Sequence, residues 1–405
     1  MTVPRTLVCI IAETRSWKIT WPSFKSNVLD ALNADLALCI GVDDSYNRDN
    51  PFWQTARYLW TSKEYEDYGE GFDEAQSRLI GDAPALDWRI ILRVKDQWLG
   101  GIKGHDQHPG SAGILIYFRW LLLERLRSSG ALEHYDRFVI TRSDFVWLSA
   151  HPSLEVLTPD YIWMPDGENY GGFTDRHVVL ARDDVELYLN LLEPIVCDTS
   201  ALISAMQGRS NWNLESYIKQ HLRWRGALAR VKLFPYLMYS VRERQGSTRW
   251  ARGVWNNRLD CFIKYISEYA AAQFWRQAVD LGAHYEDLVR APGEAAVYVV
   301  EMVGLSGRSR TAKLVLSSDD NAFPMITCMA SGETAHVISS RRRDMILLVG
   351  RKGYIGYIAS TGRLSRWFLG LRFAYLAKAM AKWGIPSIAC ACFGYRLLSI
   401  KRLSR

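Results

Sequence analysis

The sequence predicts an α/β protein: a mostly parallel sheet flanked by helices, followed by a smaller β-rich module that carries a basic helix. Two observations lead to this prediction. A strand, a helix and a second strand follow one another before residue 42, which is the order of a parallel βαβ unit. Beyond about residue 295, short apolar segments separated by Gly, Ser and Asp turns replace this alternation. We therefore expect a main domain at 1–265, a helical connector at 266–294 and an accessory module at 295–405.

The main domain begins with apolar segments typical of buried strands. Residues 5–12 and Asp35–Gly41 are two such segments, and Trp21–Leu32 between them predicts a helix. Residues 46–80 are aromatic and polar without clear periodicity, which predicts a long excursion. Trp88–Val94 is apolar again and predicts a further strand.

The later elements follow from the same patterns. Gly100–Gly110 is rich in Gly and His and predicts a loop, and Ser111 is a candidate N-cap for a strong helix that ends at Arg127. The other elements predicted before residue 265 are strands at Phe138–Thr141, Tyr161–Met164 and Val178–Ala181 and helices at Asp183–Leu192 and Asn213–Leu222. The accessory module has predicted strands at Val297–Val303, Ala312–Ser317, Ala335–Ser339, Met345–Gly350 and Tyr354–Ser360 and a helix at Leu364–Trp383.

The cysteines, the apolar stretches and the distribution of charge limit the classes of protein to which this chain can belong. Seven scattered cysteines in 405 residues are not a disulfide framework, and the chain has no apolar stretch long enough to span a membrane. We expect a cytoplasmic protein that can associate with a membrane surface. From Met345 to Arg405 there are 11 Lys and Arg and no Asp or Glu. This segment is either a solvated basic surface or a patch for an anionic partner, for which a membrane is favoured over nucleic acid.

One segment carries charged residues directly after a buried strand. Phe138 to Thr141 is apolar and β-branched, and Arg142-Ser143-Asp144 follows it. Residues two apart in an extended chain point the same way, so we expect Arg142 and Asp144 to face one ligand. A carboxylate suits Mg²⁺ or Mn²⁺, which are often shared with substrate phosphates, and an arginine binds phosphate oxygens. The alternative is a surface ion pair at the strand end.

Several motifs in order resemble those of GT-A-type glycosyltransferases from bacterial and viral polysaccharide clusters. They are Tyr135-Asp136, Arg142-x-Asp144, Gly171-Gly172-Phe173-Thr174-Asp175-Arg176-His177 and Asn213-Leu214-Glu215. Arg142 stands where these enzymes have the first aspartate of Asp-x-Asp, and Leu214 stands where they have proline. The resemblance covers roughly residues 5–245. It implies a GT-A-like, Rossmann-related fold, a nucleotide-sugar donor and a glycan or lipid-linked acceptor.

The resemblance also implies roles around the donor diphosphate. Asp144 would hold a divalent metal, Mn²⁺ or Mg²⁺, that bridges the two phosphates, although one carboxylate holds a metal less firmly than two. Arg142 would contact a phosphate directly or form an ion pair with Asp136 or Glu13. Arg119, on the helix before the motif, would point to the phosphates or extend its charged end to solvent.

The nucleoside would lie at the ends of the first two strands. Glu13, Thr14 and Arg15 follow the first strand and Asp43 follows the second, and a carboxylate there suits ribose hydroxyls or a base edge. The alternative for Asp43 is to cap a turn, which is a common role of aspartate.

An inverting transfer needs a carboxylate that deprotonates the acceptor hydroxyl. Asp175 is the first candidate for this base, because its loop is rich in glycine and follows the motif. Glu215 is the second candidate. The rival interpretation is a non-catalytic module that docks on an anionic membrane or nucleic acid through the basic C-terminal region.

Overall fold

The computed structural model describes residues 4–94, 98–104, 110–207, 212–245, 252–280, 282–292 and 294, and seven strand segments between residues 296 and 402. The chain divides into two units. The first comprises residues 1–233 and 240–264, and the second comprises residues 234–239 and 265–405. The predicted α/β class with a mostly parallel sheet flanked by helices is confirmed by the architecture of the first unit.

The main sheet has seven strands. They are β1 (Thr6–Ala12), β2 (Asp35–Val42), β3 (Tyr58–Lys63), β4 (Arg137–Thr141), β6 (Ile162–Pro165), β7 (Val178–Ala181) and β8 (Val231–Phe234). Their order is β3-β2-β1-β4-β7-β6-β8. β3, β2, β1 and β4 are parallel to one another, and β7 is antiparallel to both β4 and β6. β1 is buried along almost its whole length, which explains its unbroken apolar sequence.

Helices α1 to α9 belong to the same unit. They are α1 (Trp17–Phe24), α2 (Pro51–Thr55), α3 (Gly69–Ile80), α4 (Ala112–Ser128), α5 (Ala131–His134), α6 (Arg182–Leu189), α7 (Glu193–Cys197), α8 (Thr199–Met206) and α9 (Leu214–Trp224). The predicted helix from Ser111 to Arg127 is confirmed as α4. This helix is buried on nearly every side because it contacts β1, β2, α3 and α6. The contacts of α4 with these strands and helices therefore form the centre of the core of the first unit.

Two predictions in the first unit are wrong. Residues 46–80 are not an excursion: they contain α2, β3 and α3. Trp88–Arg93 is a 3₁₀ helix rather than a strand. The helix predicted over Trp21–Leu32 is confirmed, but it begins earlier, at Trp17, and continues after α1 as a π-helical turn over Lys25–Asp30.

A second, four-stranded sheet follows β4, the strand that ends just before Arg142-Ser143-Asp144. It consists of β5 (Phe145–Trp147), β9 (Met238–Arg242), β10 (Val254–Asn256) and β11 (Cys261–Ile263), in the order β10-β11-β9-β5. β11 is antiparallel to both β9 and β10. A short 3₁₀ helix, Leu228–Arg230, precedes β8. This sheet brings Met238–Arg242 beside Phe145–Trp147, the strand that follows β4 in the chain.

The second unit contains α10 (Ile266–Asp280), a 3₁₀ helix (Tyr285–Asp287) and another seven-stranded sheet. Its strands are β12 (Ala296–Gly304), β13 (Ser309–Ser317), β14 (Met325–Met329), β15 (Ala335–Ser339), β16 (Met345–Gly350), β17 (Ile355–Ala359) and β18 (Phe393–Arg402). The five predicted strands have counterparts here, whereas β14 and β18 have no predicted counterpart. The helix predicted at Leu364–Trp383 lies outside the described residues. Among the described helices of the chain, none has the length and apolar character needed to cross a membrane.

Candidate active site

Polar turns after β1 and β4 meet at one edge of the main sheet. β1 and β4 are parallel neighbours, with Ile10 opposite Thr141 near their carboxyl ends. Just beyond this pair, the Ser143 hydroxyl donates to the backbone carbonyls of Glu13 (3.0 Å) and Arg15 (3.4 Å). β2 lies on one side of β1 and β4 on the other, so the strand order reverses direction here. Open α/β sheets bind their ligands at such a point.

Asp144 is a buried carboxylate that contacts two arginines. Its side chain is 1 % exposed. Its Oδ2 accepts hydrogen bonds from Arg142 Nη2 (3.1 Å), from Arg242 Nη1 and from the Ser240 hydroxyl (3.4 Å). Burial raises the pKa of this carboxyl, but nearby positive charges outweigh burial and hold the pKa well below its usual value. These charges belong to Arg142, Arg242, Arg15 and Lys264.

The second sheet positions two of these cations. β9 ends at Arg242, and the Val241 N–H donates to the Asp144 carbonyl (2.9 Å), which fixes β9 beside the motif. Lys264 follows β11, and its N–H donates to the Ser240 carbonyl (2.9 Å). Residues 98 positions apart in the sequence thus meet at one carboxylate.

Lys264 lies in a strongly cationic environment. Burial lowers the pKa of its ammonium group most, and the charges of Arg176 and Arg142 lower it further, to about 6. The Asp144 carboxylate acts in the opposite direction without compensating for them. An anion bound next to Lys264 would favour the charged form of the lysine.

Arg142 forms its ion pair within the motif itself. Arg142 Nη2 lies 3.1 Å from Asp144 Oδ2, so the two side chains contact each other, whereas their predicted contact with one ligand stays a prediction. The two partners considered for Arg142 in the sequence form other pairs: Glu13 pairs with Arg15, and Asp136 Oδ1 lies 2.8 Å from Arg182 Nη2. The ion pair expected as the alternative to phosphate contact therefore exists, with a different carboxylate.

The glycine-bearing loop before β7 is held against the start of α9. The Phe173 N–H donates to the Glu215 carbonyl (3.1 Å), and Asn213 Nδ2 donates to the Tyr170 carbonyl (3.0 Å). Asn213 is also the N-cap of α9. A Cβ atom at Gly172 would lie 1.9 Å from the Glu215 carbonyl oxygen. Only glycine permits this close approach of the two backbones.

This contact brings the two predicted catalytic carboxyl groups together. Asp175 is 6 % and Glu215 9 % exposed. Burial and the nearby Asp175 charge raise the pKa of Glu215 to about 8, so Glu215 is protonated at neutral pH. Arg176 forms an ion pair with buried Glu168, and its Nε lies 3.8 Å from Asp175 Oδ1. Paired carboxyl groups whose environments differ are a common arrangement for acid–base chemistry.

Arg119 is a buried support of the Asp175 loop. It is 1 % exposed and donates to the backbone carbonyls of Leu115 (3.0 Å) and Asp175 (2.5 Å). The predicted extension of its charged end to solvent is wrong, because the guanidinium group is buried, whereas its contact with a phosphate stays a prediction. Its bond to the Asp175 carbonyl means that Arg119 positions the segment that carries Asp175.

The turn after β1 also contacts the loop after β2. The Thr14 hydroxyl hydrogen-bonds with the Tyr46 hydroxyl (2.7 Å) and accepts from Asn50 Nδ2 (2.7 Å). Asp43 is exposed, and its carboxylate accepts from the Ser45 hydroxyl (2.7 Å) and N–H (2.8 Å), which lowers the pKa of Asp43. Asp43 thus caps a turn, as its alternative interpretation expects.

The surroundings of Asp144 do not fit a divalent metal. Within the described part of the chain, no three or more His, Cys, Asp and Glu side chains form a group that could hold a metal ion. Two arginines contact Oδ2 of Asp144, whereas the buried Oδ1 accepts no hydrogen bond from the described residues. The neighbouring cations would repel a divalent cation at this carboxylate. Asp144 therefore lies in an ionic cluster, and the metal implied by the family resemblance stays a prediction.

Three cations of the site do not emerge from the sequence alone: Arg176, Arg242 and Lys264. A signal for two of them exists. Arg242 ends a short buried strand and Lys264 directly follows another, as Arg142 does. A cation at the carboxyl end of a short apolar segment, repeated three times, is a pattern from which an anion site can be predicted.

Comparison with known proteins assigns no family. No protein-family model matches the sequence, and no curated protein matches it significantly.

Proposed function

We propose that this chain is a glycosyltransferase with a GT-A-like first unit, which transfers a sugar from a nucleoside-diphosphate donor to a glycan or lipid-linked acceptor. The observation that carries the proposal is the meeting of the β1 turn and Arg142-Ser143-Asp144 at the carboxyl ends of β1 and β4. Ligands of open α/β sheets bind at this position. The order of the motifs along the chain and the mostly parallel sheet support the same function.

The cations of the site suit the leaving group. When the bond between the sugar and the phosphate oxygen breaks, its electrons remain on the nucleoside diphosphate, which gains negative charge. Arg142 supplies a planar guanidinium group next to the place where this charge develops. Asp144 holds that guanidinium group through its contact at 3.1 Å.

The carboxyl pair suits the acceptor. In an inverting transfer, the acceptor oxygen forms a bond to the sugar and its proton passes to a base. Asp175 is the proposed base, because Glu215 is protonated at neutral pH and has no free carboxylate to accept the proton. Asp175 is 6 % exposed, so this role requires the loop before β7 to move when the acceptor binds.

Release of nucleoside diphosphate from a panel of UDP-, GDP- and dTDP-sugars, with a panel of sugar acceptors, tests the proposal. We expect release from one class of donor. Asp175→Asn should then lower turnover on the order of 100-fold or more and leave donor binding unchanged in calorimetry. Asp30→Asn, which changes an exposed carboxylate paired with Lys25, is the matched control and should keep full turnover. If no donor is turned over and no nucleotide binds, the proposal fails.

A second candidate function rests on charge. Between Met345 and Arg405 there are 11 Lys and Arg and no Asp or Glu. This positive charge favours an anionic partner such as a membrane surface. A docking protein of this kind would bind anionic vesicles without binding any nucleotide. Nucleotide binding by the first unit therefore separates the two candidates, and a peripheral membrane enzyme would show both properties.

A further inference from the structure

Positive charge is concentrated at the place where the family resemblance implies a metal. Arg142 and Arg242 contact the Asp144 carboxylate, and Arg15 and Lys264 lie close enough to shift its pKa. The four cations come from four separate elements: the β1 turn, the segment after β4, the end of β9 and the residue after β11. Their convergence is therefore a property of the tertiary fold rather than of one charged stretch of sequence.

The members of this cluster differ in exposure. The side chains of Arg242 and Asp144 are 2 % and 1 % exposed and form a closed inner pair. The side chains of Arg142 and Arg15 are 12 % and 28 % exposed, and Lys264 is also partly accessible. The inner pair fixes the geometry, and the outer three cations can reach a ligand.

An anion suits this cluster better than a divalent cation does. A divalent cation needs several oxygen ligands and would be repelled by the guanidinium groups around Asp144. A diphosphate brings its own negative charge and several acceptor oxygens, which match the planar donor fork of an arginine. The cluster can thus offer hydrogen-bond donors and positive charge to a diphosphate from protein side chains, although Asp144 and Glu13 balance part of that charge.

We propose that this cluster binds the diphosphate of the donor directly, without a divalent metal. The residues that contact the phosphates are Arg15, Arg142 and Lys264, whereas Arg242 and Asp144 are positioning residues. This inference rests on the proposed function, because the diphosphate is that of a nucleotide-sugar donor. During transfer the leaving oxygen keeps the electron pair of the broken bond, and the three cations stabilise the resulting charge.

Titration of the full chain with inorganic pyrophosphate, in buffer stripped of divalent metals, tests the inference by calorimetry. We expect pyrophosphate to bind under these conditions. Added Mn²⁺ should weaken the binding, because it neutralises the pyrophosphate charge that the arginines and the lysine recognise. Binding that requires Mn²⁺ would overturn the inference.

Lys264→Gln is the decisive variant. It removes an amine that is largely uncharged in the unliganded protein at neutral pH and lies among cations, so we expect the protein to stay folded, which its melting temperature verifies. Pyrophosphate affinity should fall about tenfold or more, since one hydrogen-bonded contact to a charged group is lost. Lys25→Gln, which removes an exposed lysine paired with Asp30, is the control and should bind as the wild type does. Unchanged affinity in Lys264→Gln would overturn the inference.

The outcomes for the site and for the proposed function are distinguishable. Pyrophosphate binding needs neither a donor sugar nor an acceptor. Metal-free binding that Lys264→Gln weakens, in a protein that turns over no donor, would support the anion site and reject the glycosyltransferase. Sugar transfer that stops when metal is removed would support the glycosyltransferase and overturn the metal-free site.

Discussion

Asp144 carries its negative charge where water is excluded, and a buried arginine depends on it. Asp144→Asn keeps the shape of the side chain but leaves Arg242, whose side chain is 2 % exposed, without its counter-charge. Removing one partner of a buried ion pair costs about 3–5 kcal/mol. We expect urea unfolding of Asp144→Asn to show a loss of stability of this size. Lost activity in this variant would then be no sign of a lost metal.

Asp136→Asn is the matched control for that experiment. Asp136 pairs with Arg182, and both side chains are about two-fifths exposed, so water screens the pair. Such pairs contribute about 0–1 kcal/mol. Equal stability of the two variants would mean that water solvates Arg242 once Asp144 is neutral, and it would contradict the closed inner pair.

Glu215 makes the stability of the protein depend on pH. Its pKa is raised from an ordinary value of 4.5 to about 8 in the folded chain. Below pH 4.5 the carboxyl is protonated in both states, and its contribution to stability is fully present. Between pH 4.5 and 8 only the unfolded chain ionises, so the free energy of unfolding falls as pH rises, by at most about 1.4 kcal/mol per pH unit for this group.

Glu215→Gln tests this dependence, because the amide resembles the protonated acid. Urea unfolding at pH 5, 6, 7 and 8 should show a flatter profile for the variant than for the wild type. The variant should also be the more stable protein at pH 8. Parallel profiles would show that Glu215 ionises normally in the folded state and would remove the reason for preferring Asp175 as the base.

At the scale of elements, the contact between the glycine-bearing loop before β7 and the start of α9 requires a residue without a Cβ atom at position 172. Gly172→Ala would place a Cβ atom 1.9 Å from the Glu215 carbonyl oxygen, and both partners are backbone, so an element must shift. We expect a loss of about 2 kcal/mol or more. Hydrogen exchange at the Phe173 N–H, which donates to that carbonyl, should accelerate at the same time.

Gly171→Ala is the companion variant. Gly171 has φ +83°, so alanine there is strained by roughly 1–2 kcal/mol, but its Cβ would meet only the Ser216 hydroxyl oxygen at 3.9 Å. The Phe173 N–H should stay protected in this variant. A smaller effect of Gly172→Ala than of Gly171→Ala would contradict the close contact.

The elements that the sequence predicts well are those whose neighbours are all apolar. β1, β4 and β7 are buried, so their apolar runs appear without interruption in the sequence, and α4 is apolar along most of its length, with Arg119 and Glu124 among the exceptions. β3 is an edge strand with half-exposed residues and leaves no such pattern. Trp88–Arg93 has the apolar content of a strand but forms a 3₁₀ helix, because burial alone does not distinguish the two.

The contacts of the candidate site also divide into local ones, which the sequence predicts, and distant ones, which it does not. Arg142 and Asp144 are two residues apart, and local geometry alone predicts that their side chains point the same way, which is compatible with the hydrogen bond between them. Arg242 is 98 residues away from Asp144 and arrives on a strand of a different sheet, a pairing that no local pattern contains. The contact of Arg119 with the Asp175 carbonyl is not predicted for a related reason: this partner is 56 residues further along the chain.

At the scale of the whole molecule, charge is distributed unevenly. The segment from Met345 to Arg405 is basic throughout, and its predicted amphipathic helix, Leu364–Trp383, lies outside the described residues. Each basic residue close to an anionic surface adds about 1 kcal/mol to membrane binding. We expect the protein to co-float with anionic vesicles at low salt and to be released at high salt. Neutral vesicles are the control, and failure to bind anionic ones would remove the membrane from this account.

The boundary between the two units has a practical consequence for anyone who wishes to isolate the first. A gene shortened after residue 264 would still encode Phe234–Tyr239, a segment that belongs to the second unit. It would delete the partners of that segment, among them Tyr269, whose ring centre lies 4.7 Å from that of Tyr239. The shortened protein would expose an apolar stretch in front of Arg242, and it is expected to aggregate. Because the chain crosses between the units three times, no single cut separates them, and a soluble fragment needs a newly designed link across the excised segment.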